Sequence, residues 1–130
     1  MTADGLRVFQ SHHGPAETVD RLEAAVARHG MTVFTRIDHG AAAEKVGLEL
    51  GPTVVVLFGN PRAGTPAMRA VRTLAIDLPM KVLIWQDEKG VTWLAYNDPA
   101  WLFRRHGVVD DGTDDVMNDV LGSIAGEAIG

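Results

Sequence analysis

Cysteine is absent from this chain of 130 residues, so disulfides and thiolate chemistry are excluded. A basic excess is also lacking: 12 Lys and Arg stand against 17 Asp and Glu, a net charge of −5. Duplex nucleic acid is gripped through its phosphates by a basic footprint, and this balance argues against that partner. No apolar run reaches the length of a membrane span. No basic segment followed by an apolar stretch opens the chain, so no signal peptide is expected. The expectation is a soluble, cytoplasmic protein. Histidines never recur at His-x-x-x-His spacing, and His12-His13 are neighbours that point apart on an extended backbone. No metal site and no cofactor are expected. Tyrosine occurs once, at Tyr96.

Apolar residues make up 46% and charged residues 22%, the balance of an ordinary folded domain. One core is within reach at this length without staples, so a single domain over residues 1–130 is expected. Leu6 to Ser11 reads as a first strand. Pro15 suits the first turn of a helix, where its missing N–H is not needed, and Glu17 favours the positive helix end. Val19, Leu22, Ala25 and Val26 form an apolar stripe, closed by Gly30. Met31 to His39 alternates, with Met31, Val33, Thr35 and Ile37 on one face and Phe34, Arg36 and Asp38 on the other. A short helix, Ala41 to Val46, follows. Thr53 to Phe58 is a continuous apolar run, hence a buried strand.

Gly59 to Pro66 then forms a glycine-bearing loop. Thr65 caps the next helix and Pro66 is its first residue, with Met68, Val71, Leu74 and Ala75 buried. Met80 to Gln86 and Val91 to Tyr96 form a hairpin around Asp87-Glu88-Lys89-Gly90. Asp98-Pro99 opens a short helix to Arg105. No Lys or Arg follows Arg105, while Asp110, Asp111, Asp114, Asp115, Asp119 and Glu127 do. A last, acidic helix is expected over about residues 113–128, with Val116, Val120, Leu121 and Ile124 inward. The sum is an α+β fold: a two-layer αβ sandwich, a largely antiparallel sheet of about five strands with helices on one face.

Several motifs resemble a known family. They are Thr35-Arg36-Ile37-Asp38-His39-Gly40-Ala41-Ala42, Gly47-Leu48-Glu49-Leu50, Phe58-Gly59-Asn60-Pro61-Arg62-Ala63-Gly64-Thr65-Pro66, Asp77-Leu78-Pro79-Met80-Lys81 and Trp93-Leu94-Ala95-Tyr96-Asn97-Asp98-Pro99. Over about residues 5–106 the chain resembles the prokaryotic domain of unknown function 302. The resemblance implies a curved antiparallel sheet backed by helices, similar to the TATA-binding-protein-like fold, and a homodimer. It implies no biochemical activity. Gln86 stands where family members often carry an acid, and the segment after about Asp110 lies outside the resembling region.

Three turns carry the candidate site. Gly59 to Thr65 has the spacing glycine, four residues, glycine, but lacks the lysine of a phosphate-binding P-loop; it reads as a strand-to-helix connection that can also face a ligand through Asn60, Gly64 and Thr65. Arg36 suits a carboxylate or phosphate clamp, or else a structural pair with a nearby acid. His39 suits proton transfer near neutral pH. Tyr96 and Asn97 end the last strand. Arg62, Arg69 and Arg72 either cluster to attract an anion or form a solvated helix face. Trp85, Trp93 and Trp101 fit the core or a subunit interface.

The expected function is a dimeric module that binds a small anionic or polar ligand at Arg36, His39, Asn60, Gly64, Thr65, Tyr96 and Asn97. The alternative is a small enzyme with His39 as acid/base, Arg36 as clamp and Asn60 as donor. Both require these turns to meet at one rim of the sheet.

Overall fold

The computed structural model describes residues 3–109 and 111–130. Asp110, counted above in the acidic tail, lies outside the described residues. In chain order the elements are β1 (Leu6–Gln10), α1 (Pro15–Arg28), β2 (Thr32–Asp38), α2 (His39–Lys45), β3 (Thr53–Gly59), α3 (Pro61–Ala70), a 3-10 helix (Arg72–Asp77), β4 (Met80–Gln86), β5 (Thr92–Asn97), α4 (Pro99–His106) and α5 (Thr113–Ile129). The strands form one sheet in the order β1-β5-β4-β3-β2, antiparallel throughout. The fold is α+β, an open antiparallel sheet with helices.

Alternation along the strands splits the sheet into two apolar faces. Val56, Phe58, Val82, Ile84, Leu94 and Tyr96 point to one side. They meet Val19, Leu22, Ala25 and Val26 of α1 and Leu121, Ile124, Ala125 and Ala128 of α5. The two helices can pack closely because alanine fills Ala25, Ala125 and Ala128. α5 is also pinned at its C-terminal end. Arg21 donates from Nε to the carbonyl of Ala128 at 3.2 Å and from Nη2 to that of Glu127 at 2.9 Å, serving carbonyls that the helix leaves unpaired. Glu127 is held by His29 at 2.7 Å and Arg28 at 2.9 Å. These two hydrogen bonds, His29 first, keep the Glu127 carboxyl below its ordinary range. The tail is thus part of the packed fold.

The opposite face is different. Val8, Trp93, Leu83, Trp85, Val55 and Leu57 lie on it, and all stay partly exposed. Ile37 beside them is 42% exposed.

Four expectations need correction. α3 begins at Pro61 with Asn60 as its cap, the Asn60 side chain accepting from Arg62 N at 3.0 Å. Thr65 and Pro66 lie inside the helix. Both Asn60-Pro61 and Thr65-Pro66 have the cap-then-proline pattern, and the earlier pair is used. That helix ends at Ala70, so Val71 and Ala75 do not share a buried stripe with Met68; of that set Leu74 alone is fully buried. In β2 a bulge between Val33 and Thr35 breaks the alternation. Val33 packs on the core while Arg36 points toward α1. In α5, Val116 is exposed rather than inward.

Candidate functional site

A cavity of about 290 Å³ opens where Asn60, just past β3, the start of β4 and the start of β2 meet α3, the 3-10 helix, α4 and α5. Its walls are apolar: Met31, Met68, Met80 and Met117, with Phe34, Phe103, Leu74 and Leu78. Four of the chain's five methionines line it. Methionine is unbranched and polarizable, and it adapts to ligands of varied shape. Asn60, Gly64 and Thr65 from α3 and its cap form the outer wall. Asn60 Oδ1 is already engaged as the helix cap. α3 has no fully buried residue, so the helix over the cavity is held more loosely than α1 or α5. The volume lies at the lower end of the range for small-molecule sites, and such sites are lined mostly by apolar side chains with few polar groups.

The predicted residues divide. Asn60, Gly64 and Thr65 come together at this cavity. Arg36 and His39 do not join them. Asp38 pairs with Val54 at the beginning of β3, whereas Thr32 pairs with Gly59 at its end. His39 follows Asp38 and Asn60 follows Gly59, so they sit at opposite ends of a strand. At 3.4 Å per residue that is about 20 Å, beyond direct or one-water proton transfer. The constellation of His39, Arg36 and Asn60 is therefore not assembled.

Arg36 serves structure. Its Nε donates to Glu23 at 2.9 Å, and its Nη2 lies 3.7 Å from Asp20. The Glu23 hydrogen bond raises the guanidinium pKa above its ordinary value. Asp38 accepts from Ala41 N at 2.8 Å and caps α2. Tyr96 is a core residue, 3% exposed and stacked on Phe9 with centroids 5.9 Å apart; burial pushes its phenol pKa up. Asn97 borders a separate small hollow of about 10 Å³ with Asp77, Lys81 and Leu102. His13 pairs with Glu17 at 3.2 Å, and among the described residues no group of three or more His, Cys, Asp or Glu is placed to hold a metal ion.

One arrangement was not legible in the sequence. Thr73 Oγ1 lies 2.9 Å from His106 Nδ1, and His106 Nε2 lies 2.5 Å from Asp77 Oδ2. Arg105 Nη1 donates to the same oxygen at 2.7 Å. Desolvation pushes the Asp77 carboxyl up, but the His106 and Arg105 hydrogen bonds outweigh it and hold it below its ordinary range. A hydroxyl–imidazole–carboxylate line has the order of a nucleophile, base and orienting acid. Thr73, however, is exposed and lines neither hollow. The cluster clasps α4 to the 3-10 helix and so supports the cavity wall at Leu74, Leu78 and Phe103. The partners are 29 and 33 residues apart in sequence, so no local pattern announced them.

Comparison with known proteins bears on the whole domain. The family model described as domain of unknown function DUF302 matches residues 8–125, taking in most of α5. A solved structure of an uncharacterized conserved DUF302 protein from Bacillus stearothermophilus is similar, with a TM-score of 0.79 at 20% identity over 97% of each chain. That likeness concerns the fold. Among curated proteins, two chains named fluoride-specific ion channel, FluC 1 of Brucella suis biovar 1 and FluC 2 of Brucella melitensis biotype 1, are each 49% identical over 104 residues. The match covers 80% of this chain but 41% and 38% of those relatives. No helix among the described residues here is long and apolar enough to cross a membrane.

Proposed function

This chain belongs to the DUF302 family, and on that premise we propose that it is a binding module, not a catalyst, which takes a small and largely apolar ligand into the methionine-lined cavity. One observation carries the reading: the about 290 Å³ cavity is walled by four methionines, two phenylalanines and two leucines, with polar groups confined to the α3 side. That lining favours an apolar body in place of the small anionic or polar ligand expected above. Asn60 and Thr65 supply orientation. Titration with N-phenyl-1-naphthylamine, a neutral dye that brightens in apolar surroundings, tests it. Saturable one-to-one enhancement is expected. Absence of enhancement in the folded protein would refute the reading.

The bare sheet face supports a second element of the proposal, pairing with another copy of this chain. Five strands about 4.8 Å apart and roughly 20 Å long present about 500 Å² per protomer, or about 1,000 Å² in a face-to-face pair, the size at which specific interfaces begin. The face carries Leu83 and Trp85 on the central strand β4, with Trp93 and Val8 beside them on β5 and β1, and an apolar patch can complement itself about a two-fold axis. The Brucella relatives favour a further role. A domain found within chains named fluoride-specific ion channels fits an accessory module that reports its ligand to a channel or transporter. Fluorine NMR of fluoride with this domain is expected to show no saturable binding; a saturable shift would move anion recognition into the domain.

A further inference from the structure

Two kinds of apolar wall meet in this molecule. The core between the sheet and helices α1 and α5 is built mainly from valine, isoleucine, leucine and alanine, with Val56, Val82, Ile84 and Ile124 among them. Among the described residues no methionine is fully buried there. The cavity lining, by contrast, holds no valine and no isoleucine. Its larger side chains are Met31, Met68, Met80, Met117, Phe34 and Phe103, with two leucines. Branched aliphatic side chains are stiff. Thioether sulfur is polarizable and makes favourable contacts with aromatic rings, commonly at the ring edge. Phenylalanine pairs with a second ring in offset or edge-to-face fashion. The lining is thus biased toward groups that gain more from an aromatic partner than from a saturated one of the same size.

The β2 bulge brings Phe34 to that lining. Val33 pairs with Phe58 and Thr35 with Leu57, so Phe34 is the extra residue between them. A bulge bends its strand and re-aims a side chain. The Phe34 ring lies beside the end of β3, its Cε2 3.5 Å from the position a Cβ would take at Gly59. It lines the cavity while 49% exposed, whereas Phe103 is 4% exposed. One ring therefore stands at the solvent edge of the cavity and the other at its buried side. Ligand size follows from volume. An apolar cavity of about 150 Å³ accepts one benzene, so a cavity of about 290 Å³ has room for two fused rings.

We propose that the ligand is a planar aromatic molecule of two fused rings, held against the thioethers of the cavity with Phe34 packing on it at the solvent edge. This rests on the cavity reading and specifies its ligand class: an aromatic body in preference to a saturated one of equal size. Phe34 is then a selectivity-determining residue, because its ring is the wall element that the bulge adds to an otherwise regular strand pairing.

The test compares two neutral competitors of the naphthylamine dye, 2-naphthol and decahydro-2-naphthol. They share one bicyclic skeleton and one hydroxyl, and the second is saturated. 2-Naphthol is expected to displace the dye at about tenfold lower concentration, the combined effect of a few sulfur–ring and ring–ring contacts. Phe34→Leu removes a ring and keeps an apolar side chain, so it is expected to narrow that ratio to about threefold. Its affinity for decahydro-2-naphthol is expected to stay within about twofold of the native value. Phe34 is half-exposed, so the variant is expected to keep its melting temperature. Equal displacement by both alcohols in the native protein, or an unchanged ratio in Phe34→Leu, would overturn the proposal and leave the cavity reading standing. Failure of the dye and of both alcohols to bind would remove the cavity reading itself. The native ratio needs no variant, so it decides the aromatic preference whether or not Phe34→Leu folds.

Discussion

Gly64 offers a perturbation that separates the cavity from the stability of the fold. It is the fourth residue of α3, and a Cβ built there meets Met68 Cε at 3.7 Å and Leu78 Cδ1 at 3.8 Å, ordinary contacts that need no rearrangement. Both neighbours line the cavity, so a longer side chain at this position enters it. Replacing an interior helical glycine by leucine gains about 0.5–1 kcal/mol of helix propensity, which in a domain of this size raises the melting temperature by about 2–5 °C. The same isobutyl group takes space from the ligand. An aromatic body buries on the order of 200 Å², about 5 kcal/mol at 25 cal/mol/Å². Excluding a third of it costs about 1.5 kcal/mol, or roughly tenfold in affinity. Gly64→Leu is thus expected to melt higher while binding the naphthylamine at least about tenfold more weakly. Gly64→Ala, which adds only the methyl, is expected to keep the stability gain and most of the binding. Thermal melts and dye titrations on the same samples read both quantities. Unchanged dye affinity in a stably folded Gly64→Leu protein would refute placement of the ligand between α3 and β4.

Other expectations are as direct. Gly5 sits at φ 75°, and a Cβ there would run into the Trp101 ring; Gly5→Ala is expected to cost about 2–4 kcal/mol through overpacking and backbone strain, and a melting temperature equal to the native one would contradict the close approach. Asp77 has a depressed carboxyl pKa, so its stabilising effect is present above the ordinary carboxylate value of about 3.9 and is lost as the pH falls through the lower folded-state value. Denaturant melts from pH 7 to pH 2 are expected to show that acid loss in the native protein and a smaller one in Asp77→Asn; identical profiles would show that the clasp contributes nothing. Leu83→Glu, at the centre of the bare sheet face, is expected to give monomers by sedimentation velocity where the native protein gives dimers. A native monomer at all concentrations would dismiss the pairing.

Much of the fold was legible because local chemistry coincides with it. Pro15 and Asp98-Pro99 mark helix starts by caps and fixed backbone angles, and the structure uses both. Met80 to Gln86 and Val91 to Tyr96 were legible as a hairpin around Asp87 to Gly90, and the structure pairs them antiparallel. α3 was displaced because two cap-and-proline pairs stand five residues apart and only tertiary packing chooses between them. The bulge in β2 was hidden because one extra residue leaves composition untouched while reversing the faces. The placement of the candidate residues was legible only in part, for a related reason. Each turn was identified, but strand order decides which turns share a rim, and the antiparallel β2–β3 pairing sends His39 and Asn60 to opposite ends. The cavity itself was missed. Met31, Met68, Met80 and Met117 are scattered along the chain, and isolated methionines read as ordinary core until the fold gathers them.

Those same methionines provide the most direct measurement. Their methyl groups, labelled with carbon-13, report individually on the cavity wall as naphthylamine is added. The signals of Met31, Met68, Met80 and Met117 are expected to shift together and saturate at one equivalent. Bound dye that leaves these four methyl signals in place would put the ligand elsewhere on the molecule and contradict the cavity as the binding site.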